Sequence, residues 1–109
     1  MNIEKKTEFI KDVNELLHEL DKSVTQQNAV KSEIQKAYIR INKPEKVNQQ
    51  YNEISDTIRD MNYEFQQIAL RKQYHFSKEQ NDLINQLKSK TRESFLQSGI
   101  GTINGAVMH

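Results

Sequence analysis

Three histidines, His18, His75 and His109, are the first candidates for metal ligands in this sequence. Glu15 precedes His18 by three positions, which is the Glu-x-x-His spacing of di-metal sites in helix bundles. Such a site needs a second Glu-x-x-His pair, and Lys72 stands three positions before His75. We therefore predict no metal site and expect His18 to lie at a seam edge or on the surface.

The residues for nucleophilic or phosphate chemistry are also missing or misplaced. The chain has no cysteine and no Gly-x-Ser-x-Gly pattern, and all of its glycines lie after residue 98, so no glycine-rich phosphate loop precedes a helix. Asp56 and Asp60 lie one helical turn apart, but such pairs usually belong to a solvated helix face. The sequence predicts a protein that is not an enzyme and binds neither a cofactor nor a small-molecule substrate.

A basic segment, residues 71–92, includes Tyr74 and Phe76, a combination found in nucleic-acid-binding patches. Glu79 and Asp82 interrupt it, and the acidic start of the chain is expected to cover it. The whole chain has a formal net charge of only +1. A DNA-binding regulator that uses this segment is an alternative interpretation, and we expect no nucleic acid as the main partner.

Apolar residues recur at steps of three and four on both sides of Pro44, the only proline. This spacing predicts two long amphipathic helices, at about 3–41 and about 45–97, joined by a turn at 42–44. Hydrophobic residues make up 35% of the chain, which suffices for a seam between helices but not for a wide core. The predicted fold is all-α: an antiparallel helical hairpin that packs into a bundle with itself or with a partner.

The second predicted helix has two possible courses at 73–77. Ser77 and Gln80 have the spacing of a capping box, which would start a third helix there. The segment contains neither glycine nor proline, and this absence favours a continuous or mildly kinked helix.

Charged residues form blocks of alternating sign along the chain. Residues 1–21 and 45–64 are net acidic, whereas 22–42 and 71–92 are net basic. Folding the chain back at Pro44 places each block opposite one of the other sign. Exposed ion pairs are weak individually, so the blocks favour the antiparallel orientation more than they add stability.

A hairpin of this kind leaves apolar residues without a partner in the same chain. We expect these residues to bind a helical partner protein or a second copy of the chain in a homodimer. Residues 98–109 contain no Asp, Glu, Lys or Arg and are expected to form a flexible tail or a docking segment. The predicted partner-binding residues are Phe9, Leu16, Leu87, Phe95, Leu96, Ile100 and Ile103.

The beginning of the chain, Met-Asn-Ile-Glu-Lys-Lys, is not followed by an apolar stretch. The sequence therefore predicts no classical signal peptide, and no window approaches the ~20 apolar residues of a transmembrane helix. We expect a cytoplasmic protein, or one secreted without a classical signal.

In length, lack of cysteine, predicted hairpin, central turn and short tail, the chain resembles the small helical partners of bacterial type VII secretion. These include the Trp-x-Gly hairpin proteins and the chaperones encoded beside LXG-domain toxins. The resemblance is architectural, over residues 1–109: the turn has Asn42-Lys43-Pro44 in place of Trp-x-Gly, and Lys78 stands where the Tyr-x-x-x-Asp/Glu tail signal would need an acid after Tyr74. It implies a protein that binds the helical N-terminal region of a toxin and guides it to the secretion machine. A bacteriocin-immunity-like helical bundle is the alternative, and a break at 73–77 would favour it.

Overall fold

Four α-helices make up the molecule in the computed structural model, which describes the backbone of residues 2–97 and the side chains of residues 2–91. They are α1 (Ile3–Ser23), α2 (Ala29–Asn42), α3 (Val47–Leu70) and α4 (Lys78–Gln97). No strand occurs in residues 2–97, and the helices pack on one another. The predicted all-α class is confirmed, and the helix boundaries differ from the predicted ones at two places.

The first difference is a break at residues 24–28, which divides the predicted helix 3–41 into α1 and α2. Val24 follows α1 with an extended backbone, which ends the helix. Its side chain is 1% exposed and packs in the core. Asn28 then caps α2, because its side-chain oxygen accepts a hydrogen bond of 2.9 Å from the Lys31 backbone N–H. The prediction of one helix from Ile3 to Ile41 was wrong for this local reason.

The second difference is a break at residues 71–77, between α3 and α4. Lys72 adopts a left-handed conformation with φ of 58°, and its N–H bonds the Ala69 carbonyl at 2.9 Å. The N–H of Gln73 bonds the Ile68 carbonyl at 3.0 Å, which completes a Schellman motif at the end of α3. The continuous helix that the sequence favoured is therefore wrong.

The capping box read from the sequence starts α4. The Gln80 N–H donates to Ser77 Oγ at 3.1 Å, and the Ser77 N–H donates to Gln80 Oε1 at 2.9 Å. These two bonds satisfy backbone donors that the first helical turn cannot satisfy itself. A separate helix therefore begins at this point, which is the alternative that the sequence left open.

The turn between α2 and α3 lies at Pro44, as predicted. Lys46 occupies the N-cap position of α3. Its backbone is extended (φ −95°, ψ 139°), but its side chain makes no capping hydrogen bond. The first turn of α3 also contains no acidic residue. The N-terminus of α3 therefore keeps unsatisfied N–H groups that a short polar side chain at position 46 would reach.

Lys46→Asp is expected to raise the free energy of unfolding by about 0.5–2 kcal/mol, since Asp is among the best capping residues and its charge suits the helix dipole. Urea unfolding followed by circular dichroism measures the change. Lys46→Asn should retain most of the gain, because it caps without charge, whereas Lys46→Gln, which removes the charge without capping, should retain little. An equal gain in all three variants would contradict the capping explanation.

Each helix runs antiparallel to the next, and α1 and α3 run parallel to each other at the centre of the bundle. The parallel pair is visible in the contact of Phe9 with Tyr51, whose ring centroids are 5.3 Å apart, and in the 3.0 Å hydrogen bond from Lys6 to Asn48. α2 and α4 each contact α1 and α3 but not each other within residues 2–97. All four helices contribute fully buried side chains to one core: Val13, Leu17, Leu20, Val24, Val30, Ile34, Ile41, Ile54, Ile58 and Leu87.

Ion pairs between helices match the predicted pairing of charge blocks. Arg40 on α2 bonds Glu53 at 3.2 Å and Asp60 at 2.8 Å on α3, and Lys90 on α4 lies 3.6 Å from Asp12 on α1. The hydrogen bond from Arg40 lowers the pKa of the Asp60 carboxyl and raises the pKa of the guanidinium itself. Because these groups are open to solvent, they serve orientation more than stability.

Candidate functional site

A groove of about 920 Å³ lies between α1 and α2. Ile10, Leu17 and Ile34 form its apolar floor. Between Thr7 and Asp21, which mark its ends on α1, the helix rises about 21 Å. We call this feature the α1–α2 groove.

Polar bonds between α1 and α2 lie at two levels of this groove. Asn14 and Asn42 exchange side-chain amide hydrogen bonds, each of 2.9 Å, and Asn42 also donates to the Tyr38 carbonyl at 2.8 Å. Near the break, the Lys31 ammonium lies 3.3 Å from the Asp21 carboxylate and donates to the Asp21 carbonyl at 2.6 Å. These partly buried contacts fix how the two helices lie against each other.

The two walls of the groove differ in charge. The α2 wall has no ionised side chain: it consists of Gln35, Tyr38, Ile39 and Asn42. Tyr38 is 47% exposed and Ile39 is 62% exposed, which makes them the main apolar side chains open to solvent there. The α1 wall carries ionisable side chains, which are Lys11, Glu15, His18, Glu19 and Asp21. A ligand in the groove would meet apolar surface on one side and solvated charge on the other.

The groove does not form a catalytic or metal-binding arrangement. His18 lies on its exposed α1 wall, and within residues 2–91 it makes no side-chain hydrogen bond. No group of three His, Cys, Asp or Glu side chains in the described part of the chain could hold a metal ion. Glu15 and His18 share one helix face, and no second acid–histidine pair lies beside them among the side chains of residues 2–91.

Two of the predicted partner-binding residues lie in the core. Phe9 is 6% exposed and Leu87 is fully buried, so their assignment to a binding surface is wrong. The reason is the break at 71–77, which turns α4 back against α1 and α3 and places Leu87 among the core residues of the other helices. Leu16 is partly buried and packs against the same core.

The other four predicted partner-binding positions fall outside the described side chains. Phe95 and Leu96 belong to α4, whose backbone is described at these positions, whereas Ile100 and Ile103 lie beyond Gln97. Their role as contact residues stays a prediction.

Tyr38 and Ile39 are the candidate residues that the sequence interpretation missed. If the apolar stripe of α1 continued at steps of three and four to Ile41, Tyr38 would lie in the seam of the hairpin opposite Tyr51, but the inward residue of this turn is Ala37, which is 3% exposed. Tyr51 packs instead against Phe9. The sequence did contain one indication of this arrangement. Val30 lies one position off the heptad of α1, which indicates that the apolar positions of α2 follow a different helical phase.

The basic segment 71–92 is partly neutralised. Lys90 lies beside Asp12 and over the Phe9 ring, 5.4 Å from its centroid, and Lys78 lies 3.5 Å from Asp82. The predicted cover by the acidic start of α1 is therefore present at Lys90.

The described residues form a small all-α bundle with an open groove between α1 and α2. None of the helices in residues 2–97 is long and apolar enough to cross a membrane. Comparisons with protein-family models, curated proteins and solved structures gave no match for this chain.

Proposed function

We propose that this chain is a non-enzymatic interaction module that binds a helical segment of another protein in the α1–α2 groove. The observation that supports the proposal is the exposure of Tyr38 and Ile39 side by side above an apolar floor. Exposed aromatic and aliphatic side chains beside an apolar depression are typical anchors of a protein interface.

The shape of the groove favours a helix as the bound element. Its length of about 21 Å accommodates about four helical turns, and a helix presents apolar anchors on one face at this spacing. The backbone N–H and C=O groups of the walls are bonded within α1 and α2, so they offer no edge to an extended strand. A bound helix satisfies its own backbone groups and needs no such edge.

The resemblance to type VII secretion partners gives this function its most concrete form. In that form the chain is an adaptor or chaperone, and the bound helix belongs to the N-terminal region of a secreted toxin.

The test is a capture experiment with the full chain and two charge-introducing variants. Ile39→Asp places a charge in the groove, and Leu70→Asp places the same charge at a site that is 75% exposed and outside the groove. We expect a protein from the host cell that binds the original chain and Leu70→Asp but not Ile39→Asp, and that still binds as a purified helical fragment. Equal binding to both variants, or no bound protein, would contradict the proposal.

A second candidate function is that of a bacteriocin-immunity-like bundle that protects a membrane target. The break at 71–77 and the packing of α4 support it, because that class is built from a compact bundle of several helices. Production of the chain in a sensitive strain should then confer survival against a bacteriocin encoded beside it. Full sensitivity of the producing strain would exclude this candidate, whereas the capture result would be unaffected.

A further inference from the structure

We propose that residues 24–28 form a hinge through which two copies of this chain exchange α1. In the closed molecule the hinge is bent, and α1 packs on its own α2, α3 and α4. In the exchanged dimer the hinge is helical, α1 and α2 join into one helix, and each α1 packs on the other copy. Lys31 is the latch that keeps the hinge bent. The proposal does not rest on the proposed function, since it concerns this chain alone.

The hinge has no residue that must end a helix. Its sequence, Val-Thr-Gln-Gln-Asn, includes neither glycine nor proline. Val24 stands four positions after Leu20, so in a continuous helix it would extend the buried stripe of α1. Thr25, Gln26 and Gln27 are exposed, so their side chains do not anchor the bend in the core. The bend therefore depends on contacts with residues outside the hinge.

The main contacts that hold the bend come from one lysine on α2. The last carbonyl groups of a helix have no partner within it. At the end of α1, the Lys31 ammonium donates to the Asp21 carbonyl at 2.6 Å and to the Val24 carbonyl at 3.1 Å, and it lies 3.3 Å from the Asp21 carboxylate. The Gln80 side chain donates to the Ser23 carbonyl at 3.1 Å. In a continuous helix, backbone N–H groups four residues further along would bond these carbonyls instead.

Straightening the hinge removes α1 from its own bundle. Because α1 runs antiparallel to α2, a continuous helix over 3–42 is about 60 Å long and directs α1 away from α3 and α4. The buried face of α1, which includes Val13, Leu17 and Leu20, then meets water, as does the core surface that it covered. A second opened copy covers both surfaces with the contacts of the closed molecule. The partner that fits is therefore this chain itself.

The choice between the two forms depends on the hinge and on protein concentration. Exchange replaces each contact of α1 within one molecule by the same contact between two molecules, so burial in the core favours neither form. The bent hinge keeps the Lys31 bonds and the Asn28 cap of α2. The straight hinge gains the backbone bonds of a helix. Removal of the latch or of the cap should therefore favour the dimer.

The first experiment measures the dimer fraction of the full chain by size-exclusion chromatography with light scattering, over a series of concentrations. Lys31→Met keeps a long side chain but cannot donate. We expect it to raise the association constant at least about tenfold, because each dimer releases two latches and a charged donor contributes more than a neutral one. Lys36→Met is the matched control and should leave the constant unchanged, since Lys36 is 71% exposed and pairs with Glu33 on its own helix.

A second variant tests the hinge without touching the latch. Asn28→Ala removes the cap of α2 and introduces a good helix former, so it should also raise the association constant. Circular dichroism verifies that each variant is folded. If Lys31→Met is not folded, Asn28→Ala decides the outcome by itself.

A thiol cross-link shows whether the dimer has exchanged α1. The chain has no cysteine, and the side chains of Asn14 on α1 and Asn42 on α2 bond each other at 2.9 Å. Asn14→Cys and Asn42→Cys are added to the Lys31→Met variant, and a short bismaleimide joins the two thiols. In the exchanged dimer the link connects two chains, so a denaturing gel shows a covalent dimer. In the closed molecule the link stays within one chain.

The straight hinge is tested by Gln26→Pro in the Lys31→Met variant. Proline disfavours helix at the preceding residue, and within residues 2–97 the Gln26 N–H makes no backbone hydrogen bond that proline would remove. We expect this variant to return to the monomer. The proposal is overturned if folded Lys31→Met and Asn28→Ala stay monomeric at the highest concentration, if the links of the dimer stay within one chain, or if the dimer survives Gln26→Pro.

Discussion

Replacing Leu87 with alanine is expected to lower the free energy of unfolding by about 2–5 kcal/mol, the usual cost of removing a fully buried leucine side chain. Leu87 is 0% exposed and belongs to the same core as the buried side chains of α1, α2 and α3. The substitution leaves a cavity lined by groups that cannot close it, and it removes the deepest contact of α4. Chemical unfolding monitored by circular dichroism measures the loss.

Leu70→Ala is the matched control, because Leu70 is 75% exposed at the end of α3. It should change the free energy of unfolding by less than about 0.5 kcal/mol. A similar small change for Leu87→Ala would mean that α4 is not packed on the bundle. That result would agree instead with the predicted hairpin, in which residues beyond about 86 have no partner in the same chain.

The contrast between Leu87 and the predicted hairpin shows what helical periodicity can and cannot determine. Spacing identified which side chains of α1 and α3 face inward, and Leu17, Leu20, Ile54 and Ile58 are all buried. Periodicity describes one helix at a time, however, and does not say where the chain turns. Only the turn at Pro44 had a residue whose own backbone restriction marks it.

The two breaks that the sequence analysis missed could not be predicted from the type of any single residue. The end of α3 needs a left-handed residue, for which glycine is usual, but the chain uses Lys72 there. The end of α1 is fixed by burial of Val24, which fits the apolar stripe whether the helix continues or stops. The sequence indicated the cap at Ser77 but not the one at Asn28, and tertiary packing decided whether each residue starts a helix or lies inside one.

The groove was missed because the break at 24–28 resets the helical phase. Extending the stripe of α1 through this break puts Tyr38 in the seam, whereas α2 presents Val30, Ile34, Ala37 and Ile41 to the core. Tyr38 and Ile39 are then directed away from α3. A shift of one residue in phase thus converts two expected core or flank residues into the exposed lip of a concave surface.

Gln80→Glu is expected to destabilise the protein by about 3 kcal/mol at neutral pH, because it changes a buried hydrogen-bond donor into a charged acceptor. Gln80 is 3% exposed, and its side-chain N–H₂ donates to the Ser23 carbonyl at 3.1 Å and to the Tyr74 hydroxyl oxygen at 2.9 Å. A carboxylate at this position still accepts from the Ser77 N–H, so the capping box survives. What it loses is the link from α4 to the end of α1.

The pH dependence separates this mechanism from a general loss of packing. Burial beside the Ser23 carbonyl raises the pKa of the introduced carboxyl, since only its protonated form can donate to that oxygen. A group whose pKa is raised on folding is stabilising below its unfolded pKa and loses that contribution as the pH rises through its folded pKa. The variant should therefore approach the stability of the original chain in mild acid and fall behind it toward neutral pH, whereas Gln86→Glu, at an exposed position of the same helix, should follow the original chain throughout. A deficit that does not change with pH would mean that Gln80 acts through its shape and not as a donor between α1 and α4.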